Sequence, residues 1–262
     1  MTSPLAFITG ASSGIGQALA QHYFLQGWDL ALPARRPAEL AAWCRAQGWP
    51  EARWRVYRAD VADVNSIVAA GQACLAAQGV PDVVIANAGI SVGMDSAVLE
   101  DIDVMARTLA VNNTGMAATF HPFIGPMRER GRGALVGVAS VAAIRGLPGH
   151  GAYCASKAGV VAYCESLRGE LRGSGVRVVT LAPGYIDTPL TRANRYAMPF
   201  LMPADRFAAQ AARAIARGAS YRVIPWQMAV VAKLLRVLPN PLFDALLAGK
   251  PRKARAGHTG PQ

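Results

Sequence analysis

The chain has 262 residues, is 52% hydrophobic and carries a formal net charge of +11. That length and apolar content suit one α/β domain with a sizeable core, and no run reaches the 18 or so uncharged apolar residues of a membrane span. The positive balance suits an anionic ligand or surface, but no helix-turn-helix, zinc-ligand or aromatic RNA-binding signature is present, so nucleic acid is not the expected partner.

Four cysteines, Cys44, Cys74, Cys154 and Cys164, show no CxxC spacing and fall in segments that read as helical. That suits reduced thiols in a cytoplasmic protein, and no metal site is expected. An apolar strand follows the N-terminus directly, with no basic segment before it, so no signal peptide is expected.

Residues 4–9 read as a buried parallel strand. They run into Thr9-Gly10-Ala11-Ser12-Ser13-Gly14-Ile15-Gly16 and then an amphipathic stretch over 17–26. Glycines in such a turn let the backbone approach a pyrophosphate at the helix N-terminus; the alternative is a plain structural turn. A second strand over 28–34 ends in Arg35-Arg36. An acid there would bind a ribose 2′-hydroxyl, whereas arginine suits a 2′-phosphate, which favours NADP over NAD. A solvated strand-end arginine is the other reading. Pro33 lacks a ladder donor and is expected at the very end of this strand.

A helix over 37–47, a strand over 53–59 ending at Asp60-Val61, a helix over 63–77 and a strand over 82–86 lead to the turn Asn87-Ala88-Gly89. Asp60 suits an adenine amino group and Asn87 suits bracing of the turn; both also suit caps. A long helix is expected over 98–129, bent near Pro122 and Pro126. Inside it Asn112-Asn113 is unfavourable for a helix interior and marks a distortion or a side-chain role.

A strand over 134–139 leads to Ser140, and a helix over 151–172 carries Tyr153 and Lys157. Four positions apart, these two share a helix face. A free phenol has a pKa of about 10, and a nearby ammonium favours the phenolate. Taken alone, Tyr-x-x-x-Lys is a common accident. His150 reads as a loop histidine rather than a pocket group.

A strand over 176–181 runs into Pro183-Gly184-Tyr185-Ile186-Asp187-Thr188. The stretch 185–203 reads as a lid. Its Met198, Phe200, Leu201 and Met202 suit either an apolar alcohol or ketone or simple lid packing. A helix over 204–217 and a strand over 221–225 complete the pattern: a single doubly wound Rossmann-type α/β domain, residues 1–225, with a seven-stranded parallel sheet.

Residues 226–249 form an amphipathic helical extension, with Lys233 and Arg236 on one side and Val230, Leu234 and Val237 on another. Residues 250–262, with Lys250, Arg252, Lys253 and Arg255, are expected to be a disordered basic tail. Residues 226–255 have three readings: a cover for the substrate cleft or a subunit contact, a peripheral dock on an anionic membrane, or a simple cap.

In this order, these motifs resemble the short-chain dehydrogenase/reductase family over residues 4–225, in an NADP-preferring form. The resemblance implies cofactor contacts at Thr9, Gly10, Ser12, Ser13, Gly14, Ile15, Gly16, Arg35, Arg36, Asp60, Val61, Asn87, Ala88 and Gly89. Ala86 stands where the family often has a second asparagine. Pro183, Gly184, Ile186 and Thr188 match the stretch that meets the nicotinamide. Asn112, Ser140, Tyr153 and Lys157 match the four catalytic positions, with Tyr153 and Lys157 also meeting the cofactor. In that family the tyrosine moves the proton, the lysine holds the ribose and lowers the tyrosine pKa, the serine orients the carbonyl, and the asparagine holds a relay water. The implied activity is hydride transfer between NADP(H) and a carbonyl or secondary alcohol, in a homo-oligomer with a dimer favoured. Two alternatives are a 3-ketoacyl-(acyl-carrier-protein) reductase, which the missing Gly-Gly tail disfavours, and an NADP-binding redox-sensing regulator without turnover.

Overall fold

The computed structural model describes residues 3–192, 194, 197–249 and 252–255. The first strand, β1 (Leu5–Ile8), is buried along its whole length. Leu5 and Phe7 face one core cluster while Ala6 and Ile8 face the other, the two-residue alternation of a strand covered on both sides. The chain then alternates α1 (Gly14–Leu25), β2 (Asp29–Ala34), α2 (Pro37–Ala46), β3 (Trp54–Arg58), α3 (Val64–Gln78) and β4 (Val83–Ala86). It continues through α4 (Asp101–Leu109), α5 (Gly115–Arg130), β5 (Gly133–Val138), α6 (Gly151–Glu170) and β6 (Val176–Pro183). Last come β7 (Ile186–Asp187), α7 (Pro189–Arg192), β8 (Met202–Pro203), α8 (Ala204–Ala216), β9 (Tyr221–Ile224), α9 (Trp226–Val237) and α10 (Asn240–Leu247).

Seven strands form one parallel sheet in the order β3-β2-β1-β4-β5-β6-β9. The order reverses between β1 and β4, which opens a crevice beyond the C-terminal ends of those strands. One face is covered by a cluster that includes Leu19, Leu40 and Phe207; the other by one that includes Ile67, Phe120 and Phe123. On the second face Phe7 meets Phe123 with ring centroids 4.8 Å apart. Truncating either ring to alanine would cost about 3–5 kcal/mol. Pro33 is the penultimate residue of β2, past Ala31, the last β1 partner, so its missing N–H costs no bond to β1.

The long helix expected over 98–129 is two helices. The break is a π-helical turn at Ala110–Thr114, not a bend at the prolines. Pro122 and Pro126 sit inside α5. Pro122 packs where a side chain on Gly71 would stand, 2.7 Å from its Cγ, so this proline serves the α3–α5 contact. The turn is pinned instead by its asparagines. Asn113 donates to the Ser156 carbonyl at 2.9 Å, and Gly115 lies against the Val61 carbonyl, leaving no room for a Cβ.

The stretch 185–203 is less irregular than its composition suggests, since β7 and β8 pair in parallel within it. Two findings concern the C-terminus. In α9 the packing face is Met228 and Ala232, while Trp226, Val230, Leu234 and Val237 point to solvent. The apolar side carrying Val230, Leu234 and Val237 is therefore the outer one. The tail expected to be disordered is in contact with the body at residues 252–255, where Gly93 and Arg255 form a parallel bridge. Lys250, residue 251 and residues 256–262 of that tail lie outside the described residues.

Candidate active site

Thr9 ends β1 and ties the first turn to β4. Its hydroxyl donates toward the Ile85 carbonyl at 3.4 Å and accepts from the N–H groups of Asn87 and Ala88, each at 3.0 Å. Asn87 returns the contact, donating through Nδ2 to the Thr9 carbonyl at 3.1 Å. Gly10 has φ +71° and Gly14 has φ +56°, conformations costly for any side chain. A Cβ on Gly16 would strike the Gly10 carbonyl. Ser13 is the N-cap residue of α1, yet its side chain makes no capping bond, and it and Ser12 are exposed. The first amides of α1 are thus left facing the crevice with two hydroxyls beside them, a donor set suited to an anion.

At the ends of β2 and β3 the expected adenosine side takes shape. Arg36 pairs with Glu39 at 3.1 Å. Arg35 is exposed and makes no ion pair among the described residues. Asp60 accepts from the Ala62 N–H at 3.0 Å, a capping contact that leaves its other carboxylate oxygen outside this bond. Val61 is held against Gly115.

The four positions expected to be catalytic, Asn112, Ser140, Tyr153 and Lys157, lie together beyond the ends of β4 and β5. Asn112 is 2% exposed, and its side chain is fully used. It accepts from the Ile90 N–H at 2.8 Å, donates to the Ile90 carbonyl at 3.0 Å and donates to the Ser156 hydroxyl at 2.9 Å. Lys157 projects from α6, and its ammonium donates to the Val138 carbonyl at 2.8 Å. A Cβ on Gly89 would stand 3.4 Å from that ammonium, so the Asn87-Ala88-Gly89 turn passes directly over it. Ser140 follows β5, accepts from the Ala142 N–H at 3.1 Å and hydrogen-bonds Tyr153. The Lys157 ammonium is 5.7 Å from the Tyr153 ring centroid.

Burial governs both ionisations. It pushes the Tyr153 phenol up, with the Ser140 hydrogen bond pulling back. It pulls Lys157 down to about 8. Desolvation is the larger influence on the phenol, and Ser140 rather than Lys157 is the group that opposes it. Pro183 ends β6 and Gly184 follows it; a Cβ on Gly184 would stand 2.7 Å from Met228 Cγ, so its absence lets α9 approach. Ile186 is buried, and Thr188 shares a hydroxyl contact of 3.2 Å with Thr191 while packing beneath Gly14.

Arrangement and sequence agree with the comparisons. The short chain dehydrogenase family model matches residues 4–198. The chain belongs to the short-chain dehydrogenase family. An uncharacterised oxidoreductase of Myxococcus xanthus is 39% identical over 245 residues, covering 94% of this chain and 96% of the other. Among solved structures, a short-chain dehydrogenase/reductase from Burkholderia phymatum in complex with NAD superposes with a TM-score of 0.78 at 26% identity, covering 88% of this chain and 92% of that one. A 3-ketoacyl-(acyl-carrier-protein) reductase from Brucella melitensis complexed with NADH gives 0.75 at 27%, covering 84% and 96%. This short-chain dehydrogenase is an oxidoreductase with a nucleotide-binding Rossmann-type fold.

Three features near the site escaped the sequence reading. Met94 reaches α6, its Sδ 3.2 Å from the Ala152 N–H. Arg145, just beyond Ser140, donates to the Leu235 and Leu238 carbonyls at 2.5 and 2.6 Å and to Asn240 Oδ1 at 2.7 Å, with its guanidinium 3.8 Å from the Phe243 ring centroid. Arg255 clasps Asp101. Only an arginine placed in an apolar loop hinted at the second; nothing local signals the others. The lid residues Phe200, Leu201 and Met202 line a groove with Arg206, Arg213 and Trp226 whose walls include none of the catalytic positions. Among the described residues no group of three His, Cys, Asp or Glu side chains is placed to hold a metal, and no helix is long and apolar enough to cross a membrane.

Proposed function

We propose that this short-chain dehydrogenase transfers a hydride between NADP(H) and a carbonyl or secondary alcohol, on a substrate with an apolar body. One observation carries the reading: Ser140, Tyr153 and Lys157 come together beyond the ends of the strands, with the Lys157 ammonium 5.7 Å from the Tyr153 ring centroid and Ser140 beside the phenol, a set suited to moving a proton to or from a substrate oxygen. The glycine-lined turn, where a Cβ on Gly16 would strike the Gly10 carbonyl, fits a pyrophosphate. Thr9, Gly10, Ser12, Ser13, Gly14, Ile15 and Gly16 would hold it. Asp60, Val61, Asn87, Ala88 and Gly89 would hold the adenosine half, and Pro183, Gly184, Ile186 and Thr188 the nicotinamide half. NADP(H) supplies or accepts the hydride. Arg35, free of ion pairing among the described residues, supports the choice of a 2′-phosphate, with Arg36 beside it.

Ser140 orients the carbonyl oxygen and stabilises charge developing on it, and Tyr153 delivers the proton. Lys157 would hold the ribose hydroxyls and resupply that proton through a water held by Asn112. Retention of all four positions favours this reading over a redox-sensing regulator. The ketoacyl reductase reading has the basic surface in its favour, but here α9 and α10 occupy the place of a short tail. Exposed Leu99 and Ile102 near the start of α4 support a homodimer, which sedimentation would measure.

The outer face of α9 and α10 supports peripheral membrane contact. Trp226, Val230, Leu234, Val237, Leu242 and Leu246 are all exposed. Beside them Arg206, Arg213, Arg222 and Lys233 are exposed and enter no ion pair among the described residues. An apolar stripe flanked by unpaired cations complements an anionic lipid surface. A panel of aliphatic, aromatic and acyl ketones with NADPH tests the central reading. Tyr153→Phe should then lose turnover by about 100-fold or more and still bind NADPH; near-normal turnover sinks it.

A further inference from the structure

We propose that residues 252–255 form a strap across the substrate crevice, and that Lys253 selects carbonyl or alcohol substrates bearing a carboxylate. This rests on the oxidoreductase reading above and names its substrate class. The strap is fixed at both ends. The Gly93 N–H donates to the Ala254 carbonyl at 3.1 Å. A Cβ on Gly93 would strike the Lys253 carbonyl, so only glycine admits the strap there. Arg255 then clasps Asp101 with two bonds, Nε to Oδ2 at 2.6 Å and Nη2 to Oδ1 at 3.1 Å, with side chains only 13% and 8% exposed. At the other end Arg252 Cβ lies 3.0 Å from where a Gly149 side chain would begin.

Its path follows from these contacts. Gly93 belongs to the segment after β4, Gly149 to the segment after β5, and Asn194 to the segment after β6. Those three strands are neighbours in the sheet, and the middle one delivers Ser140. Lys253 spans the opening: its carbonyl meets Gly93, while its ammonium reaches Asn194 Oδ1 at 3.4 Å. Asn194 in turn approaches Met198 Sδ at 3.7 Å. His150, three residues before Tyr153, lies close enough that the Lys253 charge helps push its pKa down.

The ammonium is poorly served where it stands. Lys253 is only partly exposed, and burial pushes its pKa down. No carboxylate pairs with it among the described residues. Its one side-chain hydrogen bond there is a long one to an amide oxygen. A cation partly withdrawn from water gains most from an incoming anion, through a charge-assisted hydrogen bond. A single ammonium with one amide beside it matches a monoanion, so a carboxylate fits better than a phosphate.

Ketones differing only as a free carboxylate or its methyl ester test this, over a range of carbonyl-to-carboxylate spacings. Wild type should favour the acid by about tenfold or more in kcat/KM for the best spacing. The ratio should fall toward one in Lys253→Met, return in Lys253→Arg, and fall in Arg255→Ala, which unclasps the strap without touching the ammonium. NADPH affinity is measured alongside by fluorescence titration. A wild-type ratio at or below one, or a ratio unchanged in Lys253→Met, overturns the assignment. So does a weakened NADPH affinity in Lys253→Met, which would place the ammonium on the cofactor. Turnover of esters and acids alike defeats Lys253 alone; turnover of neither defeats the oxidoreductase reading and takes this inference with it.

Discussion

Asn112 grips Ile90 by both backbone groups, accepting from its N–H at 2.8 Å and donating to its carbonyl at 3.0 Å. The same side chain donates to Ser156 on α6. One buried amide therefore fixes the turn after β4 to the helix that carries Tyr153 and Lys157. Asn112→Ala would remove one buried and two part-buried hydrogen bonds and should cost about 1–3 kcal/mol. A denaturant midpoint indistinguishable from wild type would contradict this bracing role.

Lys157 sits at the other extreme, as a group that stability would discard. Its pKa falls from 10.5 to about 8 on burial. Between those values the unfolded chain binds a proton that the folded chain does not, so stability rises as pH climbs from 8 to 10.5. Below 8 the buried ammonium costs the fold a few kcal/mol. Lys157→Met should therefore raise the Tm of the cofactor-free protein at pH 7, and the gain should shrink as pH approaches 10.5. Calorimetry across that range checks the sign. Turnover should be lost throughout.

Arg35 and Arg36 are adjacent but not equivalent, since Arg36 is engaged by Glu39. Arg35→Ala should lower the NADPH over NADH preference in kcat/KM by about tenfold or more, and Arg36→Ala by much less. Equal effects from the two substitutions in steady-state kinetics would contradict the assignment of the 2′-phosphate to Arg35.

Much of this was readable before the structure. A parallel strand buried on both faces is a continuous apolar run, and a phosphate-binding turn is a local matter of glycine spacing, so β1 and residues 9–16 are visible in sequence. The asparagine pair marks the distortion in sequence, while the bend expected at the prolines is absent; Asn112 and Asn113 distort the helix through partners in residues 90 and 156. Helix α9 is apolar almost all round, and periodicity cannot say which side packs; Gly184, which admits Met228, decides it. The Arg255–Asp101 clasp joins positions 154 apart, beyond the reach of any local pattern.

Exposure of that second apolar side has a measurable outcome. Leu234→Glu with Val237→Glu changes only solvent-facing positions, so the fold should be retained. Wild type should float with liposomes containing anionic lipid and not with neutral ones, and high salt should release it. The double variant should stay in the soluble fraction. Equal flotation of both proteins would remove this face from membrane contact.

Arg145 bonds to the Leu235 and Leu238 carbonyls and stacks on Phe243. Arg145→Ala should cost about 1–3 kcal/mol and make the segment 226–249 the first site cut in limited proteolysis. Uniform protection of that segment in the variant would contradict the anchoring role.

The same arginine sets a rule for engineering. It stands five residues after Ser140, in the loop that leads to Tyr153, yet its partners are supplied from residues 235–243. Transplanting that loop alone from a relative would strand its anchor, and transplanting the C-terminal helices alone would strand the loop. Residues 141–150 and 226–255 are a single exchangeable cassette. Chimeras that move both halves together should inherit the donor's substrate range, with the catalytic residues left where they are.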